Sequence, residues 1–353
     1  PTIGESRAAQ NLRLMAFLLV FFPILALLSQ PTGAYADSTL ERVREDGTLR
    51  CGVKRAGLGL SSLEADGRWH GFFTDFCRAV AAATTGDAEA VEWVPVDNVV
   101  RFDALRNGAF DVLMSNDTMT ATRDISIGLS FPIIYFYDGQ GFLAHRGTHG
   151  SRLADIEHAS VCVGAATTSI KNLEDLNSSR QVPLAIEAYN SIPGRLQAFF
   201  DRRCDLLTGD QLALASDKHT YEDNHNPVVF LEDVISREPL GPVVRQGDPQ
   251  WFKVIRWVVQ ATITAEALGV TSRNVADMRR TGNAEVRRLL GGEPGIGAAL
   301  GLPDAWAYEI LRQVGNFGEI YDRNLGPGTA VALERGRNHL WRNGGLHYPL
   351  PFR

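Results

Sequence analysis

Along this chain, short continuous apolar runs alternate with helically spaced apolar stripes, and Gly, Asn or Asp marks most of the switches. Leu49-Arg-Cys-Gly-Val53 reads as a strand, followed by a glycine-rich turn from Ala56 to Gly59. Asp66-Gly67 predicts a hairpin between two extended pieces. A helix is expected to begin near Asp75 and to bury Phe76, Val80 and Ala81. Val91 to Val96 reads as a strand and Arg101 to Arg106 as a helix ended by Asn107-Gly108. Phe110 to Met114 is a strand that runs into polar Ser115-Asn116-Asp117-Thr118. The pattern then restarts. Ser160 to Gly164 is a strand, Ala165 to Thr168 a turn, and a helix follows from Ser169. Pro183 to Ala188 is a strand, Ile192 to Arg202 a helix, and Cys204 to Leu207 a strand entering Thr208-Gly209-Asp210. Strand–helix–strand alternation of this kind predicts two α/β units with parallel sheets. Phe131 to Leu143 and Arg237 to Val244 are the extended segments joining them, and two crossings mean that the second unit is inserted into the first. Further helices follow, the first with a core stripe at Trp251, Ile255, Val258, Val259 and Ile263.

The amino-terminal segment breaks this pattern. Arg7 and Arg13 precede an uncharged run from Leu14 to Leu28, and Ala34-Tyr35-Ala36 follows. That is the order of a secretory signal peptide, residues 1–36, with cleavage expected after Ala36. The competing reading is an uncleaved anchor, but 15 apolar residues interrupted by Pro23 fall short of the roughly 20 that span a bilayer. No cysteine follows the cleavage point directly, which disfavours a lipid anchor. The product is therefore expected to be soluble and outside the cytoplasm, in the periplasm.

Composition narrows the function. Lys+Arg number 35 against 41 Asp+Glu, a net charge of −6, so no basic excess is left to neutralise a phosphate backbone and nucleic acid is an unexpected partner. The chain lacks a Gly-x-Ser-x-Gly elbow, a His-Glu-x-x-His pair, a Walker loop and a dinucleotide fingerprint, so no catalytic residue, cofactor or metal is expected. Export permits disulfides among Cys51, Cys77, Cys162 and Cys204. Three pairings are open, as is a set of buried free thiols. Nearest-neighbour pairing would close loops of 25 and 41 intervening residues.

The polar groups after the two central strands are complementary. Ser115 to Arg123 carries several hydroxyls and then a guanidinium. Thr167-Thr168 stands at a helix start, and Asp210 follows a strand. Arginine grips a carboxylate in a fork, helix-start N–H groups and hydroxyls complete its hydrogen bonding, and aspartate accepts an ammonium. Such a set suits an α-amino acid zwitterion.

Asp111-Val-Leu-Met-Ser-Asn-Asp-Thr-Met-Thr-Ala-Thr-Arg123, followed by Phe131-Pro132, resembles the ligand loop of periplasmic amino-acid-binding proteins of ABC importers. Phe76 to Ala82, Tyr137 to Phe142, Glu238 to Asp248 and Gly315 to Asn324 are similar to the general L-amino-acid-binding subfamily. The resemblance implies a two-lobed type II periplasmic-binding-protein fold, with residues 37–136 and 244–353 as lobe 1, 137–243 as lobe 2, and a helical carboxy-terminal extension. It also implies that the protein captures an L-amino acid as a monomer and delivers it to an inner-membrane permease. Carried over by residue, Arg123 clamps the carboxylate with help from Thr168, with Thr167 beside it. Asn116 and Thr118 meet the ligand backbone, and Asp210 takes the ammonium. Asn116 stands where relatives carry a small hydroxyl. Aromatics that many relatives place near Gly57, Leu60 and Asn98 are missing, as is an acidic residue at Phe73, which argues against narrow selectivity for basic amino acids. Lys54 and Arg55 follow a strand end near the cleft, where one could attract an acidic side chain, although the plain reading sends both into water. The competing functions are a periplasmic lyase of the cyclohexadienyl dehydratase kind, a receptor-presenting sensor, and a binder of dicarboxylates.

Overall fold

The computed structural model describes residues 38–55, 57–147, 150–180, 183–222 and 225–353. The expected signal peptide and its cleavage site lie outside these residues. Helix α1 (Thr39–Asp46) leads into strand β1 (Leu49–Lys54), in which only Arg50 is less than fully buried. The hairpin of β2 (Ser62–Leu63) and β3 (Trp69–His70) turns at Asp66-Gly67, where Asp66 Oδ1 accepts the Arg68 N–H at 2.9 Å.

Helix α2 (Phe72–Thr85) starts three residues before the expected Asp75. Gly71 releases the chain into it at φ 131°, and a Cβ there would lie 2.3 Å from the Leu60 carbonyl oxygen, so the entry needs glycine. Phe72 and Phe73 open the helix because both are wholly buried, in an aromatic group with Phe76, Tyr135 and Phe317.

Strand β4 (Val91–Val96), helix α3 (Arg101–Arg106), strand β5 (Val112–Met114) and helix α4 (Ala121–Ser126) complete the first α/β unit. Its sheet has the order β4-β1-β5 and is parallel, as the alternation predicts. The chain then passes through β6 (Leu129–Ser130), β7 (Phe136–Asp138) and β8 (Gln140–His145).

The second unit comprises β9 (Ser160–Gly164), α5 (Thr168–Ser178), β10 (Ala185–Tyr189), α6 (Ile192–Phe200), β11 (Leu206–Asp210), α7 (Gln211–Tyr221) and β12 (Val228–Phe230). Its sheet, β10-β9-β11-β8-β12, is mixed rather than parallel, because β8 runs antiparallel to both β11 and β12. That pairing also carries the strand past Leu207, where the sequence pattern ends it. Partnered by Phe142, Gly141 and Gln140, Thr208, Gly209 and Asp210 stay in β11 to its end, and Thr208 Oγ1 donates to the Gly141 carbonyl at 2.7 Å.

Return strand β13 (Glu238–Leu240) pairs antiparallel with β7, and β14 (Val244–Arg245) with β6, so the two crossings run side by side. Helix α8 (Pro249–Ala267) buries Trp251, Ile255, Val258, Val259 and Ile263 as its spacing predicts. Helices α9 (Val275–Thr281), α10 (Ala284–Leu289), α11 (Ile296–Leu300), α12 (Trp306–Gln313) and α13 (Phe317–Asn324) follow. Trp306, Phe317, Tyr321, Leu340 and Phe352 join the same hydrophobic cluster as α2 and α8, so the carboxy-terminal extension adds to the first core. Separate clusters flank the second sheet, one around Phe142, Val161 and Leu206, the other around Leu143, Phe199 and Leu207.

All four cysteines are bonded, Cys51 to Cys77 and Cys162 to Cys204, with Cα separations of 6.1 and 5.6 Å. Of the open alternatives, the nearest-neighbour pairing is the one formed. Each bridge ties a strand of one sheet to a segment packed near it in the chain.

Candidate ligand-binding site

The loop after β5 is held from below. Leu113 exchanges backbone hydrogen bonds with Val243, Met119 N–H donates to Pro239, and Gly241 N–H donates to Asp117. The Tyr135 hydroxyl donates to the Ser115 carbonyl at 2.6 Å. Thr120 caps α4 by accepting the Arg123 N–H at 3.2 Å, which sets the position of the Arg123 side chain. The guanidinium lies 5.1 Å above the Phe102 ring and donates from Nη1 to the Thr118 carbonyl at 2.9 Å.

The second sheet supplies the facing groups. Thr167 is the residue before α5, and its hydroxyl donates to the Gly164 carbonyl at 2.7 Å. Thr168 opens α5, and its Oγ1 lies 3.4 Å from Thr118 Oγ1. Asp210 ends β11 and accepts a hydrogen bond from the Asn116 side-chain amide. Beneath them is Glu238, almost fully buried, whose carboxylate accepts from the hydroxyls of Thr118, Thr168 (3.2 Å) and Ser236 (2.6 Å) and from the Asn172 amide (2.8 Å).

These features enclose one cavity of about 50 Å³. All six residues singled out from the sequence, Asn116, Thr118, Arg123, Thr167, Thr168 and Asp210, line it. So do Lys54 and Asn98, which the sequence placed near the cleft without a role, and Arg101, Arg195 and Asp217, to which it did not point. Lys54 corrects the expectation of a solvated side chain. It is the last residue of β1, buried, with Nζ 3.3 Å from Asn98 Oδ1 and 3.7 Å from Asp117 Oδ1. Arg55 is exposed and lies 5.7 Å over the Trp69 ring, outside the cavity lining. Phe73 and Leu60 are wholly buried.

The charged groups are paired and strongly perturbed, as burial demands. Asp117 accepts from Arg101 Nε at 2.6 Å and from the Ser115 hydroxyl. Burial raises its pKa, but Arg101, Lys54 and Arg123 more than offset that and hold it well below the carboxylate range. Burial lowers Lys54 to about 8 against the pull of Asp117. Burial and then the Glu238 charge raise Asp210 to about 6, with Lys54 and the Asn116 amide opposing. Arg195 Nη2 donates to Asp217 at 2.9 Å, and burial lifts Asp217 to about 6 against that partner. Arg101 and Arg195 sit inside segments that read correctly as helices, and nothing local distinguishes them from surface arginines. Only their burial beside a carboxylate marks them.

Residues 36–271 match the model of the bacterial extracellular solute-binding proteins, family 3. The General L-amino acid-binding periplasmic protein AapJ of Rhizobium johnstonii is 38% identical over 330 residues, 93% of this chain and 96% of that protein. The glutamate/glutamine/aspartate/asparagine-binding protein BztA of Rhodobacter capsulatus is 39% identical over 337 residues, 94% of this chain and 98% of that protein. A solved structure described as an ABC transporter / periplasmic binding protein from Brucella ovis with glutathione bound superposes with a TM-score of 0.87 at 39% identity, covering 90% of this chain and 99% of that one.

Proposed function

The chain belongs to the bacterial extracellular solute-binding proteins, family 3, and on that footing we propose that it captures a free L-amino acid and delivers it to the membrane permease of an ABC importer. The curated relatives are named as binding proteins of this kind and not as enzymes. The observation that carries the reading is the convergence of Arg123 and Asp210, from opposite sheets, on one cavity with Asn116, Thr118 and Thr168. Arg123 receives the α-carboxylate together with the N–H groups at the start of α5, and Asp210 receives the α-ammonium.

Two lobes, 37–136 with 244–353 and 137–243, open and close about the paired crossings. In support, the second sheet has hydrophobic clusters of its own, although Leu212 of α7 packs into the first core, and β7 and β13 run side by side. Contacts to a bound ligand from both sheets favour closure of the lobes. Two charge-assisted anchors in a site closed to water are consistent with micromolar binding, about −8 kcal/mol. Action in the periplasm follows secretion through residues 1–36, and the protein works as a monomer.

The test is calorimetric titration of the purified mature chain with the twenty amino acids. At least one binds. Arg123→Ala removes binding while the unfolding transition is retained, and unchanged affinity in that variant refutes the clamp. Asp210→Ala weakens amino acids far more than dicarboxylates of similar length, whereas equal losses transfer the site to a non-amino-acid solute.

A further inference from the structure

Once Arg123, Asp210, Asn116, Thr118, Thr167 and Thr168 are assigned to the α-groups and backbone of the ligand, the polar side chains left in the cavity lining are Lys54, Asn98, Arg101, Ser169, Arg195 and Asp217. The carboxylates among and beside them are already engaged. Asp117 is held by Arg101 Nε at 2.6 Å and by the Ser115 hydroxyl, and Asp217 is held by Arg195 Nη2 at 2.9 Å. The donors are less fully used. Lys54 Nζ has three hydrogens to give, and its nearest acceptors are Asn98 Oδ1 at 3.3 Å and the shared Asp117 at 3.7 Å. Arg195 is only 8% exposed, yet its Nε hydrogen has no hydrogen-bond partner. Both heads border the same space, with Gly164 and Gly209 beside it. A Cβ on Gly164 would lie 3.4 Å from Asn98 Nδ2, and one on Gly209 would lie 3.4 Å from Arg195 Nη1.

A ligand side chain entering this part of the cavity therefore meets surplus donors and no uncommitted carboxylate. We infer that the site selects amino acids with a carboxylate side chain, glutamate or aspartate, and that Lys54 and Arg195 are the residues that receive it. A carboxylate only accepts, so it satisfies both heads. A side-chain amide presents one accepting oxygen and two further donors, leaving a buried donor unmatched. A cationic side chain would confront Lys54 directly. The inference rests on the amino-acid reading above and narrows it to a ligand class.

L-glutamate, L-aspartate, L-glutamine, L-asparagine, L-arginine and reduced glutathione are titrated against the full mature chain at pH 7. The better acid binds at least about tenfold more tightly than its own amide, from the charge-assisted hydrogen bonds the amide cannot make. Lys54→Met reduces affinity for the acid by about tenfold or more and leaves the amide within a few-fold, so the acid-to-amide ratio collapses. Should Lys54→Met fold poorly, the wild-type acid-to-amide ratio still decides, and Arg195→Met repeats the comparison. Amides binding as tightly as acids, or Lys54→Met weakening both equally, overturns the inference while leaving amino-acid capture standing. Failure of every free amino acid to bind, or tighter binding of glutathione than of any of them, overturns the parent reading instead.

Discussion

Lys54 and Asp210 are two titratable groups in one cavity that burial pushes in useful directions, Lys54 down to about 8 and Asp210 up to about 6. Asp117, Arg101, Asp210 and Arg123 face Lys54, and Glu238, Asp138, Lys54, Asn116 and Asp117 face Asp210. Asp210 can hold an ammonium only as a carboxylate, so affinity for any amino acid is lost as pH falls through about 6. Lys54 can attract a side-chain carboxylate only as an ammonium, so the preference for acidic ligands is lost as pH rises through about 8. Titrations of L-glutamate from pH 5 to 9 thus give a bell-shaped affinity profile, whereas L-glutamine shows only the acidic limb up to pH 8. Matching profiles for the two ligands would contradict the role given to Lys54. His347 is a contrasting residue: burial first, then Arg335, hold it near 3, which marks a neutral structural imidazole and not a ligand group.

At the scale of elements, the site depends on how strands end. β1 ends at Lys54, β5 at Met114, and β11 carries Asp210 as its final residue, so three strand ends converge on one space, in keeping with the carboxyl-end rule for α/β sheets. The disulfides brace the elements behind those ends, Cys51 in β1 to Cys77 in α2 and Cys162 in β9 to Cys204 just before β11. Closing loops of these lengths contributes about 3–4 kcal/mol each in the chain-entropy picture. Replacing Cys162 and Cys204 together by serine should lower the free energy of unfolding in urea by that amount, while leaving glutamate affinity at 25 °C within a few-fold. An unshifted urea midpoint would mean that the bridge adds nothing to the second core.

For the molecule as a whole, Glu238 is the residue through which β13 reaches both the loop after β5 and helix α5. It lies on β13, and its acceptors gather Thr118 from the first sheet's loop and Thr168 and Asn172 from α5. It does not line the cavity. Glu238→Ala deprives four buried or half-buried donors of their acceptor and loosens the closed arrangement, so affinity should fall by about tenfold for acidic and amide ligands alike. The glutamate-to-glutamine ratio should stay constant, and calorimetry on the pair measures both quantities. A changed ratio would place Glu238 in the side-chain pocket and not beneath it.

By itself the sequence determined what local periodicity can encode: the order of strands and helices, the two crossings, the hairpin at Asp66-Gly67, the core stripe of α8, and the polar loop from Ser115 to Arg123. These depend on residues within a few positions of one another, where propensity and spacing act. The six predicted residues that line the cavity were legible through the resemblance of the Asp111 to Arg123 segment and its neighbours to periplasmic amino-acid-binding proteins, because an arginine or aspartate after a strand looks by itself like a surface charge. The tertiary structure alone decided the direction of β8, the extension of β11 through Asp210, and the early start of α2 at Phe72. It alone decided that Lys54 points inward while Arg55 is exposed, and that Arg101, Arg195 and Asp217 line the cavity. The physical reason is the same in each case. Whether a charged side chain is buried, and which partner then satisfies it, is set by elements tens or hundreds of residues away, and no pattern in its own neighbourhood records their arrival.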